Sequence, residues 1–307
     1  MSDGILILGA GGFLGSALAQ RLASDGCRVF RAMRQPAPPY GQNDSVHKGD
    51  LSDAPLMREL LTQCGTVFHL ASATTPGSSA HQPSLEAEFN LLPTLRFLDV
   101  LQEFPGRRLI FVSSGGALYG NPEIELAPET HANTALSYHG AGKIALESFL
   151  LTFSHLSGTR LTVLRPSNLY GPAQPLKSGF GLVRTMLQHI RRGTTMEIWG
   201  GGETVRDFLY IEDMVEACRR VRDGDEASGE VFNVGAGTGH SIDQLRQLAE
   251  QITGRPLEVA YQPRRQVDVT RIVLDCSKIR SKLGWSPAVP LAEGLARTWQ
   301  WLRSQPL

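Results

Sequence analysis

The stretch Ile5-Leu6-Ile7-Leu8-Gly9-Ala10-Gly11-Gly12-Phe13-Leu14-Gly15 joins an apolar run of strand type to glycines at positions 9, 12 and 15. Residues 16–22 follow with the spacing of an amphipathic helix. Gly9 permits a sharp turn, Gly12 lets the backbone approach a pyrophosphate, and Gly15 lets the helix pack closely on the strand. The free N–H groups at the amino end of such a helix attract phosphate. Between a strand and a helix, this glycine spacing predicts a dinucleotide site.

The amino-acid composition limits which kinds of molecule the protein is expected to bind. The chain has 307 residues, of which 41% are hydrophobic, so it can bury a large core. Its 30 basic and 30 acidic residues give a formal net charge of zero, which removes the bulk electrostatic argument for nucleic acid or an anionic membrane. No apolar run reaches the roughly 18 residues of a membrane span, and the first strand follows directly after residues 1–3. We therefore expect a cytoplasmic protein.

The four cysteines, at positions 27, 64, 218 and 276, are scattered without paired spacing. This pattern is typical of reduced thiols and predicts neither a disulfide framework nor a metal site.

Strand and helix patterns alternate along the chain, which predicts an α/β fold with a doubly wound parallel sheet of the Rossmann type. A smaller, discontinuous C-terminal lobe would bind the substrate. We expect the dinucleotide-binding domain to cover residues 1–165 and about 206–235, and the second lobe to cover about 166–205 and 236–307. The main predicted strands are 26–34, 66–71, 108–112, 160–165 and 231–234, and the predicted helices include 84–104, with a kink at Pro93, and 179–192.

The end of the second predicted strand bears on the choice of cofactor. Folds specific for NAD usually carry an acidic residue there, which binds the ribose 2′-hydroxyl. Here the strand ends in Met33-Arg34. Arg34 could bind a 2′-phosphate through its planar guanidinium, which favours NADP over NAD. The alternative is that Arg34 is a solvated loop cation.

Further motifs occur in a fixed order and resemble those of the extended short-chain dehydrogenase/reductase family, in its nucleotide-sugar epimerase/dehydratase branch. They are Gly9-x-x-Gly12-x-x-Gly15, Asp50-Leu51, His69-Leu70-Ala71, Ser113-Ser114 with Tyr119-Gly120, Lys143, Arg165-Pro166-x-Asn168-x-Tyr170-Gly171-Pro172, Arg206-Asp207-Phe208-Leu209-Tyr210-Ile211-Glu212-Asp213 and Leu283-Gly284-Trp285-x-Pro287. The resemblance implies cofactor contacts from Gly9, Gly12, Phe13, Leu14, Gly15, Asp50, Leu51, Leu70, Ala71 and Lys143.

One catalytic position departs from the family pattern Ser-x-Tyr-Gly-x-x-Lys. The segment reads Ser137-Tyr138-His139-Gly140-Ala141-Gly142-Lys143. On a helix, residues i and i+4 lie about 40° apart and residues i and i+5 about 140° apart. His139, and not Tyr138, is therefore in register with Lys143 at the position where the family has its acid/base tyrosine.

Three interpretations of this departure compete, and in a fourth alternative Tyr138 and His139 are surface residues and the base lies elsewhere. His139 could act as the base, kept neutral by the nearby Lys143 cation. A register slip at the helix start could bring Tyr138 inward. The site could also have kept its ligands and lost its chemistry.

A second, milder departure concerns the family's catalytic Ser/Thr. Counting back from Tyr119, that position falls on Gly115, which has no hydroxyl. Ser114 is the nearest donor, and the Ser-Ser-Gly-Gly order resembles a variant within the branch.

The resemblance also assigns substrate contacts in the second lobe. Asn168 matches the family's contact to the sugar diphosphate, and Arg206 and Arg265 match its two diphosphate-clamping arginines, for which a guanidinium is well suited. Arg271 is the alternative to Arg265. Trp199 matches the residue that lies against the base, or it is an ordinary core aromatic. Arg206 could alternatively form a structural ion pair with Asp207 or Asp213.

Together these features predict an epimerase that acts on a nucleoside-diphosphate hexose, most simply a UDP-hexose, through a transient 4-keto sugar and nicotinamide hydride transfer. Gly116 and Ala117 replace the acidic pair of the family's dehydratases, which favours epimerisation over dehydration. An NADP-dependent 4-reductase and a catalytically silent binding protein are the alternatives. The resemblance also implies a homodimer formed through helices 84–104 and 138–155.

Overall fold

The computed structural model describes residues 3–176, 181–265 and 268–306. Its strands are β1 (Gly4–Leu8), β2 (Val29–Met33), β3 (Asp44–Lys48), β4 (Cys64–His69), β5 (Arg108–Val112), β6 (Arg160–Pro166), β7 (Asn168–Tyr170), β8 (Met196–Trp199), β9 (Val205–Tyr210), β10 (Glu230–Val234), β11 (Gly239–Ser241), β12 (Val259–Gln262) and β13 (Arg271–Ile272).

The α-helices are α1 (Phe13–Ser24), α2 (Ala54–Gln63), α3 (Ser84–Glu86), α4 (Leu92–Leu101), α5 (Gly115–Leu118), α6 (Tyr138–Ser157), α7 (Leu182–Arg192), α8 (Ile211–Asp223), α9 (Ile242–Thr253), α10 (Ser277–Leu283) and α11 (Leu291–Ser304). The helix predicted from Gly179 thus runs from Leu182, and its predicted start lies outside the described residues. Within the described ranges, no helix has both the length and the apolar character of a membrane span.

The main sheet confirms the predicted doubly wound parallel arrangement. Seven parallel strands follow the order β10-β6-β5-β4-β1-β2-β3. Side chains alternate between two cores, so that Ile5 and Ile110 pack on one face while Leu6 and Phe111 pack on the other. Since the strands are parallel, the carboxyl ends of β1, β4, β5 and β6 share one edge, where such sheets bind ligands.

The second lobe has its own sheets and core. Strand β9 pairs with β7, β11 and β13, and β8 pairs with β12. Two segments cross the predicted boundary between the lobes. Residues 206–210 belong to the smaller sheet, although the sequence predicts about 206–235 in the dinucleotide-binding domain. Trp285 belongs to the predicted second lobe but packs in the core of the main sheet, where its indole N–H donates to the carbonyl of Asp213 at 3.0 Å.

The helix predicted over 84–104 is interrupted. A π-helical turn, Ala87–Leu91, separates α3 from α4, and Pro93 lies in the first turn of α4. Proline lacks an N–H and clashes with the carbonyl four residues earlier, so a widened turn before it relieves the conflict. Phe89 and Leu92 lie on the outer surface of this segment, at 52% and 45% exposed, whereas the side chains of Glu86 and Asn90 are buried.

Gly15→Ala is expected to destabilise the glycine loop, because a Cβ at position 15 would lie 2.3 Å from the carbonyl oxygen of Gly9. Overpacking of this kind costs about 1–3 kcal/mol. Urea denaturation should show this loss of unfolding free energy, whereas Gly41→Ala, whose Cβ meets nothing within 4 Å, should unfold like the wild type. Equal stability of the two variants would contradict the assigned role of Gly15.

Candidate active site

The turn after β1 leaves the amino end of α1 open. Gly9 adopts a φ of +86°, which favours glycine, and its carbonyl accepts a hydrogen bond from Gly12 at 3.0 Å. Gly12 caps α1 without any side-chain hydrogen bond, and both Gly11 and Gly12 are exposed. The first N–H groups of the helix therefore have room to bind an anion.

The predicted cofactor residues after β4 border this same loop. The amide of Leu70 donates to the carbonyl of Leu8 at 2.9 Å, and a Cβ on Gly9 would lie 2.6 Å from the amide nitrogen of Ala71. Backbone therefore comes close to backbone here without an intervening side chain. Together with the Gly15 contact, this shape fits the pyrophosphate of a dinucleotide, and Phe13 and Leu14 form the first turn of α1.

Two cations line a surface cavity at the ends of β2 and β3. They are Arg34 and Lys48, and the cavity is completed by Gly49, Asp50, Ser52 and Asp53. Asp50 is held by the amide and the hydroxyl of Ser52 at 2.9 and 2.6 Å, and Leu51 packs partly buried against the neighbouring core. Arg31 does not line this cavity, because its side chain is fully buried and forms an ion pair with Asp44 at 2.7 Å.

The register of α6 decides between His139 and Tyr138. Ser137 caps the helix by accepting the Gly140 amide at 3.2 Å. Gly140 packs against α5 so closely that a Cβ there would lie 2.4 Å from the carbonyl oxygen of Ala117. Tyr138 is 46% exposed and His139 only 9%. The helix thus begins in regular register, and the structure does not bring Tyr138 to Lys143, contrary to the slipped alternative.

His139 lies in a polar and buried environment. Its Nδ1 is 3.1 Å from the hydroxyl oxygen of Thr74 and 3.8 Å from Oε1 of Glu86. Burial, followed by the Lys143 cation, lowers the pKa of His139 to about 4, against an opposing effect of Glu86. The imidazole is therefore neutral near pH 7, and because Nδ1 faces Thr74, Nε2 is the nitrogen left for a substrate.

Lys143 is a buried cation at the carboxyl end of β5. Its Nζ donates to the carbonyl of Val112 at 3.0 Å and lies 4.8 Å from the ring centroid of Phe111. Burial lowers the pKa of Lys143 to about 8, although Glu147 and Glu86 raise it. His69, one strand over, is buried too, and its pKa falls to about 3 through burial and the Lys143 charge.

The backbone explains the missing hydroxyl at position 115. A Cβ on Gly115 would lie 2.6 Å from a methyl carbon of Leu274 and 2.9 Å from the carbonyl oxygen of Arg165, so a side chain does not fit. Ser114 precedes it in extended conformation and is partly exposed. A hydroxyl at this loop can therefore come from Ser114 but not from position 115.

Arg206 is a partly buried guanidinium whose acceptors are main-chain carbonyls. It donates to Val205 and Val269, and burial lowers its pKa to about 10. Arg206 forms no ion pair with Asp207 or Asp213 among the described residues. Asp207 instead accepts hydrogen bonds from the amides of Ala236 and Gly237, and Asp213 accepts those of Ala288 and Val289. The charge of Arg206 is thus not neutralised by a carboxylate in direct contact.

Trp199 and Arg265 come together in the second lobe. Trp199 is 42% exposed, so it is not a core aromatic, and the guanidinium of Arg265 lies 5.2 Å from its ring centroid. Arg265 also forms a two-bond ion pair with Asp268 at 2.8 and 2.9 Å. Arg271 pairs with Val205 in the sheet, and Ile272 pairs with Arg206. Because side chains alternate along a strand, Arg271 and Arg206 lie on opposite faces of the sheet.

Asn168 connects the substrate lobe to the loop after β5. Its side-chain nitrogen donates to the carbonyl of Asp207 at 3.1 Å, and a Cβ on Gly116 would lie 3.9 Å from it. The small residue at 116 therefore leaves the Asn168 amide accessible from the side of the sheet edge.

This geometry agrees with the comparisons with known proteins. A model of the NAD dependent epimerase/dehydratase family matches residues 5–235. The chain belongs to this family. It is similar to a UDP-glucose 4-epimerase of Mycolicibacterium smegmatis, at 32% identity over 98% of both chains.

Solved structures of family members superpose on nearly the whole chain. A UDP-glucose 4-epimerase from Thermotoga maritima, crystallised with UDP-glucose, has a TM-score of 0.91 and 33% identity over 98% of both chains. The Thermus thermophilus UDP-glucose 4-epimerase, in complex with NAD, has a TM-score of 0.90 and 28% identity over 98% of this chain and 99% of its own. The Rossmann sheet of the epimerase/dehydratase family is thus confirmed.

Sequence reasoning missed two polar residues of this epimerase/dehydratase site. Asn90 donates to Thr74 and to Glu86, at 2.8 Å in each case, and accepts the Ala73 amide at 2.8 Å. A local signal exists, because Glu86 and Asn90 are four residues apart and therefore share one face of the predicted helix 84–104.

Proposed function

We propose that this protein is a nucleoside-diphosphate-sugar 4-epimerase, with a UDP-hexose as substrate and His139 as the acid/base. The observation that carries the proposal is the placement of His139. It is buried in helical register with Lys143, and its Nδ1 is anchored 3.1 Å from the Thr74 hydroxyl. An anchored, neutral imidazole with Nε2 available is suited to take and return a proton.

The second lobe supports a diphosphate ligand. Among the residues that the structure describes, no carboxylate contacts the Arg206 guanidinium, and a bound diphosphate would supply a negative charge there. The exposed Trp199 ring beside Arg265 offers a stacking surface for a nucleotide base, and Asn168 lies between this lobe and the sheet edge. The family relatives named above, which include an epimerase with bound UDP-glucose, support a sugar nucleotide over other diphosphates.

Each polar residue then has a defined task. His139 takes the proton of the C4 hydroxyl on Nε2 and later returns it, while Ser114 donates a hydrogen bond to the same sugar oxygen. Lys143 holds the nicotinamide ribose and keeps the resting imidazole neutral. A bound nicotinamide supplies the hydride acceptor and donor. Epimerisation follows when the 4-keto sugar turns over between the two transfers, so the protein's part is orientation and proton control.

The cavity between Arg34 and Lys48 supports NADP as the cofactor. Two exposed cations at one cavity can bind a 2′-phosphate, although Asp50 and Asp53 line the same space. This observation also favours the second candidate function, an NADP-dependent 4-reductase acting on a keto-sugar nucleotide.

The outer faces of two helices support a homodimer. Tyr138, Phe149 and Leu156 are exposed on α6, at spacings of 11 and 7 residues that place them on one helix face. Phe89 and Leu92 continue the apolar surface on the neighbouring segment. Exposed apolar faces of this kind mark interaction surfaces.

Purified protein should interconvert UDP-glucose and UDP-galactose, and His139→Ala should lower kcat by about 10²- to 10⁴-fold, the usual contribution of a general acid/base. Product chromatography measures this, and His131→Ala serves as a control at a partly exposed histidine. Binding of both ligands without turnover would establish the silent alternative, and activity that appears only in His139→Tyr would show that the site had decayed. Reduction of a keto sugar without epimerisation would favour the reductase.

Arg34→Asp should weaken NADP binding about 10- to 100-fold, because one charge-assisted phosphate contact is replaced by repulsion. Titration calorimetry with NADP and NAD would compare it with Arg255→Asp, an exposed arginine of the other lobe. Tighter binding of NAD than of NADP to the wild type would refute the NADP preference.

Light scattering after size-exclusion chromatography should give a dimer mass for the wild type. Phe149→Glu should give monomers at micromolar concentration, because a charge would be buried in the proposed interface. Ile124→Glu changes an exposed apolar residue outside the two helices and should leave the mass unchanged. A monomeric wild type would contradict the proposal.

A further inference from the structure

A buried carboxylate lies beside His139 without a complete set of partners. Glu86 is 6% exposed, and its Oε2 accepts a hydrogen bond from Asn90 at 2.8 Å. Its Oε1 is buried and has no hydrogen-bond partner among the described residues. That oxygen lies 3.8 Å from Nδ1 of His139.

Helix α6 is built to admit this carboxylate. A Cβ on Gly142 would lie 2.9 Å from Oε2 of Glu86, so a side chain at position 142 would displace the carboxylate from its observed place. On the other side, Asn90 in the π-helical turn holds both Glu86 and the Thr74 hydroxyl. Glu86, Asn90, Thr74 and His139 therefore form one connected polar cluster.

The charged groups around His139 indicate a role for this cluster. The charged groups that face His139 are Glu86 on α3 and Lys143 on α6, and beyond Lys143 lie His69 of β4 and Glu147. Glu147 is already bound by Arg165 at 2.6 Å. When His139 gains a proton, its new charge is therefore opposed by Lys143, with Glu86 as the adjacent compensating charge.

The same carboxylate selects the tautomer of the neutral ring. A negative charge near Nδ1 favours the form with its hydrogen on Nδ1, which donates to Thr74 and leaves Nε2 without a proton. That tautomer is the one that can act as a base through Nε2. With the hydrogen on Nε2 instead, the neutral ring could donate but not accept at the substrate.

We propose that Glu86 is a positioning residue that fixes the Nδ1–H tautomer of His139 and supplies the counter-charge for the imidazolium formed during the reaction. The inference rests on the proposed function. As the substrate O–H bond breaks, a new N–H bond forms at Nε2, and the Nδ1 hydrogen stays on the ring. The oxygen's electron pair forms the C=O bond while hydride leaves the same carbon for the nicotinamide, so no further oxidant is needed.

The direct test is NMR of the ¹⁵N-labelled imidazole of His139 in the full-length protein. The wild type should show the hydrogen on Nδ1 in the neutral form. In Glu86→Gln, the loss of the neighbouring negative charge should lower the pKa of His139 by about one unit or more and populate the Nε2–H tautomer. Glu88→Gln, an exposed glutamate two residues away, should match the wild type.

Kinetics supply a second readout. Because the base must be deprotonated, the acid limb of the pH profile of kcat should move to lower pH in Glu86→Gln. The rate at neutral pH should fall about 10- to 100-fold with little change in KM, because the base is weaker. Glu86→Asp, which keeps the charge, should recover part of that loss.

The outcomes separate this inference from the proposed function. An active wild type with an Nε2–H tautomer, or a Glu86→Gln variant with unchanged tautomer and pKa, would overturn the role of Glu86 and leave the epimerase standing. The expected NMR changes in a protein without sugar turnover would support the positioning of His139 by Glu86 and overturn the catalytic function. If Glu86→Gln fails to fold, the wild-type tautomer and the Glu86→Asp pKa still decide.

Discussion

The close approach of α1 to the end of β1 is the constraint on which the site depends. No Cβ fits between Gly15 and the carbonyl of Gly9, so the helix starts directly at the carboxyl edge of the sheet. The parallel strands β4, β5 and β6 end at the same edge, and the chain continues there to Thr74, Ser114 and Asn168. The fold thereby gathers polar groups from distant parts of the sequence.

Two cationic side chains, Lys143 and Arg206, lose solvent exposure when the chain folds around this site. Lys143 and Arg206 both lose solvent and donate mainly to carbonyl oxygens, and for both groups burial lowers the pKa. A buried cation that lacks a carboxylate in contact is costly, and an anionic ligand offsets that cost when it binds. For Arg206, this cost supports the proposed contact with a diphosphate, whereas Lys143 is proposed to hold the nicotinamide ribose.

Residues with local signatures could be predicted from the sequence. The glycine spacing located the turn at Gly9, the buried run 108–112 gave β5 with its observed bounds, and helical arithmetic put His139 in register with Lys143. The exposure of Trp199 and its contact with Arg265 could not be predicted, because the two residues come from segments far apart in sequence. Glu86 and Asn90 share a helix face that the sequence shows, but their connection to Thr74 and His139 could not be predicted, because it joins a loop, a π-helical turn and α6.

The exchange of tyrosine for histidine reverses the electrostatic demand on this site. A neighbouring lysine lowers the pKa of a phenol from about 10 toward neutrality, which makes it a better base at working pH. For an imidazole, burial and the charge of the same lysine both lower the pKa away from neutrality, to about 4 for His139. In the proposed reaction, a histidine at this position works better with a negative charge that opposes Lys143. Glu86, admitted by the missing side chain of Gly142, is placed to supply it.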